Sequence, residues 1–160
     1  MRQCVFAART FSFRLLTSVF CLLSFGCALP RIIVLDDPLS PEEHLNLGVA
    51  YERNGEYDNA LKEYEKASKK LPVAYLYIGN IYFSKSEYSE AECFYKKAIA
   101  KDAMNADAHN NLAWLYYTRR ENLDVAEDMA LRAIELDPRK KDIYYDTLQK
   151  IREITKKGGI

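Results

Sequence analysis

The chain has 160 residues, 29% of them charged, with 23 basic side chains against 23 acidic ones. That balance excludes an electrostatic grip on nucleic acid, which needs a clustered basic surface. Four cysteines at scattered positions give no disulfide framework, and the length suits one small domain beside a leader.

Residues 1–26 read as a signal peptide. Arg2, Arg9 and Arg14 come first with no acid among them, and residues 15–29 carry no charge. The apolar run is shorter than the roughly 20 residues that cross a bilayer. A basic stretch, a short apolar core and small residues at Gly26-Cys27-Ala28 form a secretory layout. Leu23-Ser24-Phe25-Gly26-Cys27 resembles a bacterial lipoprotein signal, which implies lipidation of Cys27 and membrane anchorage through it. Ala28 after the cysteine is similar to lipoproteins of the outer membrane, so the resemblance implies a cell-envelope protein facing the periplasm. Two alternatives stay open: ordinary cleavage after Ala28, giving a soluble periplasmic or secreted protein, and an uncleaved anchor. Without residues 1–26 the balance is 20 basic to 23 acidic residues.

Residues 27–39 are a linker. Its run Ile32-Ile33-Val34-Leu35 suits an extended strand that lies over the first helices or pairs with another protein. Ser40-Pro41-Glu42-Glu43 then opens a helix: the serine caps, proline takes the first turn, and Glu43 reaches back.

From there one pattern recurs. Its first half reads Leu47-Gly48-x-x-Tyr51, Ile78-Gly79-x-x-Tyr82 and Leu112-Ala113-x-x-Tyr116. Its second half reads Ala60-x3-Tyr64-x2-Ala67, Ala91-x3-Tyr95-x2-Ala98 and Ala126-x3-Ala130-x2-Ala133. The copies stand 31 and then 34 or 35 residues apart, a period that marks a solenoid. Apolar residues within each half fall at helical spacing, and short polar turns such as Asn54-Gly55-Glu56 separate the halves. Each unit is therefore a helical hairpin, with units at about residues 41–71, 72–105 and 106–140. Residues 141–157 repeat only the first half, as Tyr144, Thr147, Leu148 and Ile151, and read as a capping helix.

Over residues 41–150 the pattern resembles the tetratricopeptide repeat family. The resemblance implies an all-α, right-handed superhelical solenoid of antiparallel helical hairpins, with three units and a C-terminal cap. The chain departs from the pattern in a first copy three residues short, in Ala130 where an aromatic is usual, and in Ala103 where a proline is usual.

The residues offer little for catalysis. His44 and His109 both precede the Leu-Gly or Leu-Ala pair by three residues and read as packing residues. Cys93, inside the second hairpin, reads as a small packing residue. No phosphate loop, metal-spaced cluster or serine elbow occurs, so neither an enzyme nor a cofactor is expected.

What remains is a groove lined by the first helix of each hairpin. By register with the family, Asn80, Phe83, Asn110, Asn111, Trp114, Tyr117, Asp142, Tyr145, Asp146 and Gln149 face it, and the resemblance implies a polypeptide partner. Amides bond a peptide backbone, and the aromatics Trp114 and Tyr117 supply contact area. Asn80 and Asn111 match the two asparagines with which one subclass holds a chaperone's terminal carboxylate. Its three basic positions fall on Leu76, Asp142 and Asp146, so that clamp is absent and the two aspartates favour a ligand with positive charge. The expectation is a non-catalytic scaffold or adaptor at the bacterial envelope. The alternatives are an accessory subunit of an envelope enzyme such as a peptidase, and a self-associating structural protein.

Overall fold

A computed structural model describes residues 37–158. The leader at 1–26, Cys27 and the Ile32–Leu35 run lie outside the described residues. Among those described there are seven α-helices, one short 3-10 turn at Pro138–Lys140, and no strand.

The helices pair in sequence: α1 (Pro41–Arg53) with α2 (Tyr57–Ala67), α3 (Ala74–Ser84) with α4 (Tyr88–Lys101), and α5 (Ala106–Arg119) with α6 (Leu123–Leu136). α7 (Lys141–Gly158) closes the stack. Each helix packs on the next, and α5 also touches α3 and α7. This is the expected all-α solenoid of antiparallel hairpins. α2 has 11 residues against 14 in α4 and α6, which accounts for the three residues missing from the first period. None of these helices is long and apolar enough to cross a membrane.

The local chemistry explains where helices start and stop. The Ser40 amide donates to Glu43 Oε2 at 2.7 Å and the Glu43 amide donates to Ser40 Oγ at 3.2 Å, closing the capping box. Asn105 Oδ1 caps α5 by accepting from the Ala108 amide at 2.9 Å. The three hairpin turns use one geometry. The amides of Glu56, Glu87 and Glu121 donate to the carbonyls of Tyr51, Tyr82 and Tyr116, at 2.9, 2.9 and 3.1 Å. In each turn the residue before that glutamate is left-handed: Gly55 (φ 78°), Ser86 (φ 60°) and Arg120 (φ 54°). A left-handed residue just past the helix end lets the last carbonyls find donors.

Packing follows the repeated small residues. Ala60, Ala67, Ala91, Ala98, Ala126 and Ala133 are fully buried and let paired helices approach. The rings of Tyr64 and Tyr95 lie against Gly48 and Gly79. Between hairpins, Ile78, Ile81 and Phe94 pack on Ala60 and Tyr64, while Leu112, Leu115 and Tyr116 pack with Leu76, Tyr95, Leu148 and Ile151. α7 buries Tyr144, Leu148 and Ile151. Burying one such side chain stabilises by about 1.5–3 kcal/mol, so α7 contributes substantially to the third hairpin.

The second-helix residue Glu92 ties two hairpins together. It accepts from Tyr116 Oη at 2.9 Å and pairs with Lys96 at 2.7 Å and Arg119 at 3.2 Å. Burial raises its pKa, but these bonds outweigh burial and hold the carboxyl below its usual range.

Candidate functional site

α3, α5 and α7 present one face, and the residues expected to line a groove divide there into three groups. The first is a polar bridge. Asn111 Nδ2 donates to Asn80 Oδ1 at 2.9 Å, across the α3–α5 boundary. Tyr95 Oη reaches the same oxygen from α4 at 3.0 Å. Both lone pairs of Asn80 Oδ1 are thereby used. Asn80 Nδ2 and Asn111 Oδ1 have no hydrogen-bond partner among the described residues, and both side chains are half-buried. A free amide donor thus stands beside a free amide acceptor.

The second group is aromatic. Trp114 and Tyr117, one helical turn apart on α5, stack with centroids 4.9 Å apart at 29°. Lys150 of α7 places its ammonium 5.0 Å from the Trp114 ring centre. The same ammonium donates to Asp146 Oδ2 at 2.6 Å. That hydrogen bond is the main cause holding the Lys150 pKa above its ordinary value. Asp146 is therefore already paired within the protein, which qualifies the expectation that it waits for an incoming charge.

The remaining residues separate from these two. Asp142, Tyr145 and Gln149 are exposed on α7. Phe83 turns toward its own hairpin, its ring 5.6 Å from that of Tyr88. Asn110 is buried, and its Oδ1 has no hydrogen-bond partner. It belongs to the packed interior of α5, because its side chain is closed off from the open face.

Two contributors escaped the sequence reading. Tyr95 stands in the repeat pattern as one of its large residues, yet its hydroxyl orients Asn80. Lys150 stands outside the repeat pattern, and its signal in the sequence is its place four residues after Asp146, an ion-pair spacing on a helix.

The histidines sit inside. His44 Nδ1 is 2.6 Å from Glu63 Oε2. His109 Nε2 is 3.2 Å from the Ala103 carbonyl and its Nδ1 is 3.3 Å from Met129 Sδ. Burial is the main influence on the His109 pKa and lowers it. Cys93 is half-buried on α4. The described residues hold no group of three His, Cys, Asp or Glu side chains placed for a metal ion.

Against known proteins, residues 41–72 match the family model for the tetratricopeptide repeat, and residues 79–118 match a TPR repeat model. The chain is 33% identical over 101 residues to the human "Protein O-mannosyl-transferase TMTC2", a match over 59% of this chain and 12% of that protein. It is 38% identical over 63 residues to the human "Tetratricopeptide repeat protein 6", over 38% of this chain and 12% of that protein. The chain thus spans about an eighth of the length of these relatives. Among solved structures it is similar to the first TPR of Spaghetti (RPAP3), bound to the HSP90 peptide SRMEEVD. The TM-score is 0.65 and the identity 22%, over 72% of this chain and 92% of that one.

Proposed function

Residues 41–72 and 79–118 carry tetratricopeptide repeats, and on that premise we propose that this protein is a scaffold that binds an extended polypeptide along the α3–α5–α7 face. The observation that carries the reading is the Asn80–Asn111 bridge. Because Tyr95 and Asn111 saturate Asn80 Oδ1, the pair offers the N–H groups of the Asn80 amide as donors and the Asn111 carbonyl as an acceptor. That is the complement of a peptide unit, which presents one acceptor and one donor. The Trp114–Tyr117 stack next to the bridge gives a side chain of the ligand an aromatic floor. The structural neighbour was solved with a peptide bound, which supports a polypeptide as the ligand class. Leu76, Asp142 and Asp146 argue against an acidic C-terminus as the ligand here.

The scaffold has no catalytic role of its own in this reading, since both histidines are engaged in packing. It is exported through residues 1–26 and held at the bacterial envelope by lipidated Cys27. The residue pattern at 23–28 supports that placement, and palmitate labelling of the full chain against Cys27→Ser tests it. Label that persists in the variant counts against lipidation.

The binding reading is tested with a photo-crosslinker at Asn80 in native envelope, with Trp114→Ala and Asn111→Ala as controls. One polypeptide captured and then lost in the controls is the expected result. Capture of nothing, or only of a second copy of this chain, overturns it.

A further inference from the structure

An indole face and a carboxylate converge on one ammonium at the α5–α7 end of the face, and that ammonium belongs to the protein itself. Lys150 Nζ stands 5.0 Å from the centre of Trp114 and 2.6 Å from Asp146 Oδ2. Aromatic face plus carboxylate is the combination that holds an ammonium or a guanidinium. Lys150 fills this place from an exposed position: its side chain is 40% accessible and that of Asp146 61%. An i,i+4 pair so exposed contributes little to stability and exchanges readily with solvent. Glu153 adds to the negative potential around the ammonium, and Asp142 lies exposed one turn before Asp146. α7 as a whole carries more basic than acidic residues, so the attraction for a cation is confined to the carboxylates at this corner, Asp146 first among them.

We propose that the corner formed by Trp114, Tyr117 and Asp146 is a cation subsite, occupied by Lys150 when no partner is bound and by an arginine of the bound segment in the complex. The proposal rests on the peptide-scaffold reading above and names the side chain that the scaffold selects. Arginine suits the corner better than lysine. Its planar guanidinium lies flat on the indole and gives the carboxylate two parallel donors, whereas Lys150 gives one bond. On binding, the Lys150 ammonium moves into water, where its three donors are hydrated. The asparagine bridge lies on the neighbouring helix boundary. One extended segment then places a peptide unit on Asn80 and Asn111 and its arginine on Trp114.

The test pans the full chain against phage-displayed random dodecapeptides and compares it with Asp146→Asn and Lys150→Met, each checked for unchanged helix content. The expected result is enrichment of arginine at one position with the wild type and its loss with Asp146→Asn. A synthetic enriched peptide should change the fluorescence of Trp114, the only tryptophan. It should also bind Lys150→Met up to about fivefold more tightly, since one exposed ion pair no longer competes. Enriched peptides without a basic residue, or with an acidic one, overturn the subsite and leave the scaffold reading intact. Weaker binding to Lys150→Met also overturns it, because Lys150 would then be a contact to the ligand. No enrichment from any variant overturns both readings.

Discussion

Gly79 and Tyr95 are matched in shape. A Cβ built on Gly79 would lie 2.6 Å from ring carbons of Tyr95, and one on Gly48 would lie 2.4 Å from Tyr64. In the third hairpin the same two positions hold Ala113 and Ala130, both fully buried. Where the second helix brings a tyrosine, the first helix has no side chain. Where the second helix brings a methyl group, the first accepts one too.

This pairing predicts a coupling. Gly79→Ala should destabilise the protein by about 1–3 kcal/mol through overpacking. In a Tyr95→Ala background the same substitution should cost far less, with an interaction energy of about 1 kcal/mol or more. Urea unfolding of the four proteins in the cycle checks it, and additive effects would show that the ring yields without strain.

The turns predict a stabilising change. Ser86 occupies the left-handed position that Gly55 fills in the first hairpin. Ser86→Gly should raise stability by roughly 0.5–1 kcal/mol, and Gly55→Ala should lower it by about as much, because only glycine adopts that region without strain. Nothing lies within 4 Å of a Cβ on Gly55, so the loss would be conformational and not steric. Thermal melts of the two variants should move in opposite directions.

His109 predicts an acid sensitivity. Burial sets its folded pKa below the unfolded value of 6.5. The unfolded chain therefore binds the proton more readily, and stability declines as pH falls through 6.5 and on toward the folded pKa. A denaturant midpoint measured at pH 7.5 and again near pH 5.5 should fall, and His109→Gln should flatten part of that slope. An unchanged slope in the variant would assign the sensitivity elsewhere.

Tyr95 predicts an effect at a distance. Tyr95→Phe removes a donor from Asn80 Oδ1 and should cost about 0.5–1.5 kcal/mol of stability. It should also weaken binding of a captured partner severalfold, because the Asn80 amide is then free to turn over and present its oxygen. Isothermal titration with that partner is the check. Full affinity in a measurably destabilised variant would mean that Asn111 alone orients the amide.

Tyr144 reports on the cap. Its hydroxyl donates to Asp107 Oδ1 at 2.8 Å, so α7 is bonded as well as packed to α5. Tyr144→Ala should destabilise by about 3–5 kcal/mol and raise amide exchange first in α5 and α6, since solenoid units depend on their neighbours. Uniform loss of protection across α1–α7 would instead indicate a single cooperative unit.

Much of this was legible beforehand for a physical reason. The repeat period, the alternation of glycine or alanine with tyrosine, and the capping box at Ser40 are local patterns. Contacts in a solenoid join neighbours in sequence, so local patterns determine most of the packing. The residues of the binding face were legible as positions on helices but not as partners. Asn80 and Asn111 stand 31 residues apart in the sequence. That one donates to the other depends on how α3 and α5 cross. The same crossing leaves Asn80 Oδ1 within reach of Tyr95, a residue whose sequence context spoke only of packing.

The sequence by itself determined the hairpins, their number and their order, because helix periodicity, caps and turn residues act over a few residues. Tertiary structure alone decided which groove residues stay open. It buried Asn110, turned Phe83 onto Tyr88, and brought Lys150 over Trp114. Those outcomes depend on the distance and angle between helices, which are set jointly by every buried side chain and are written at no single position.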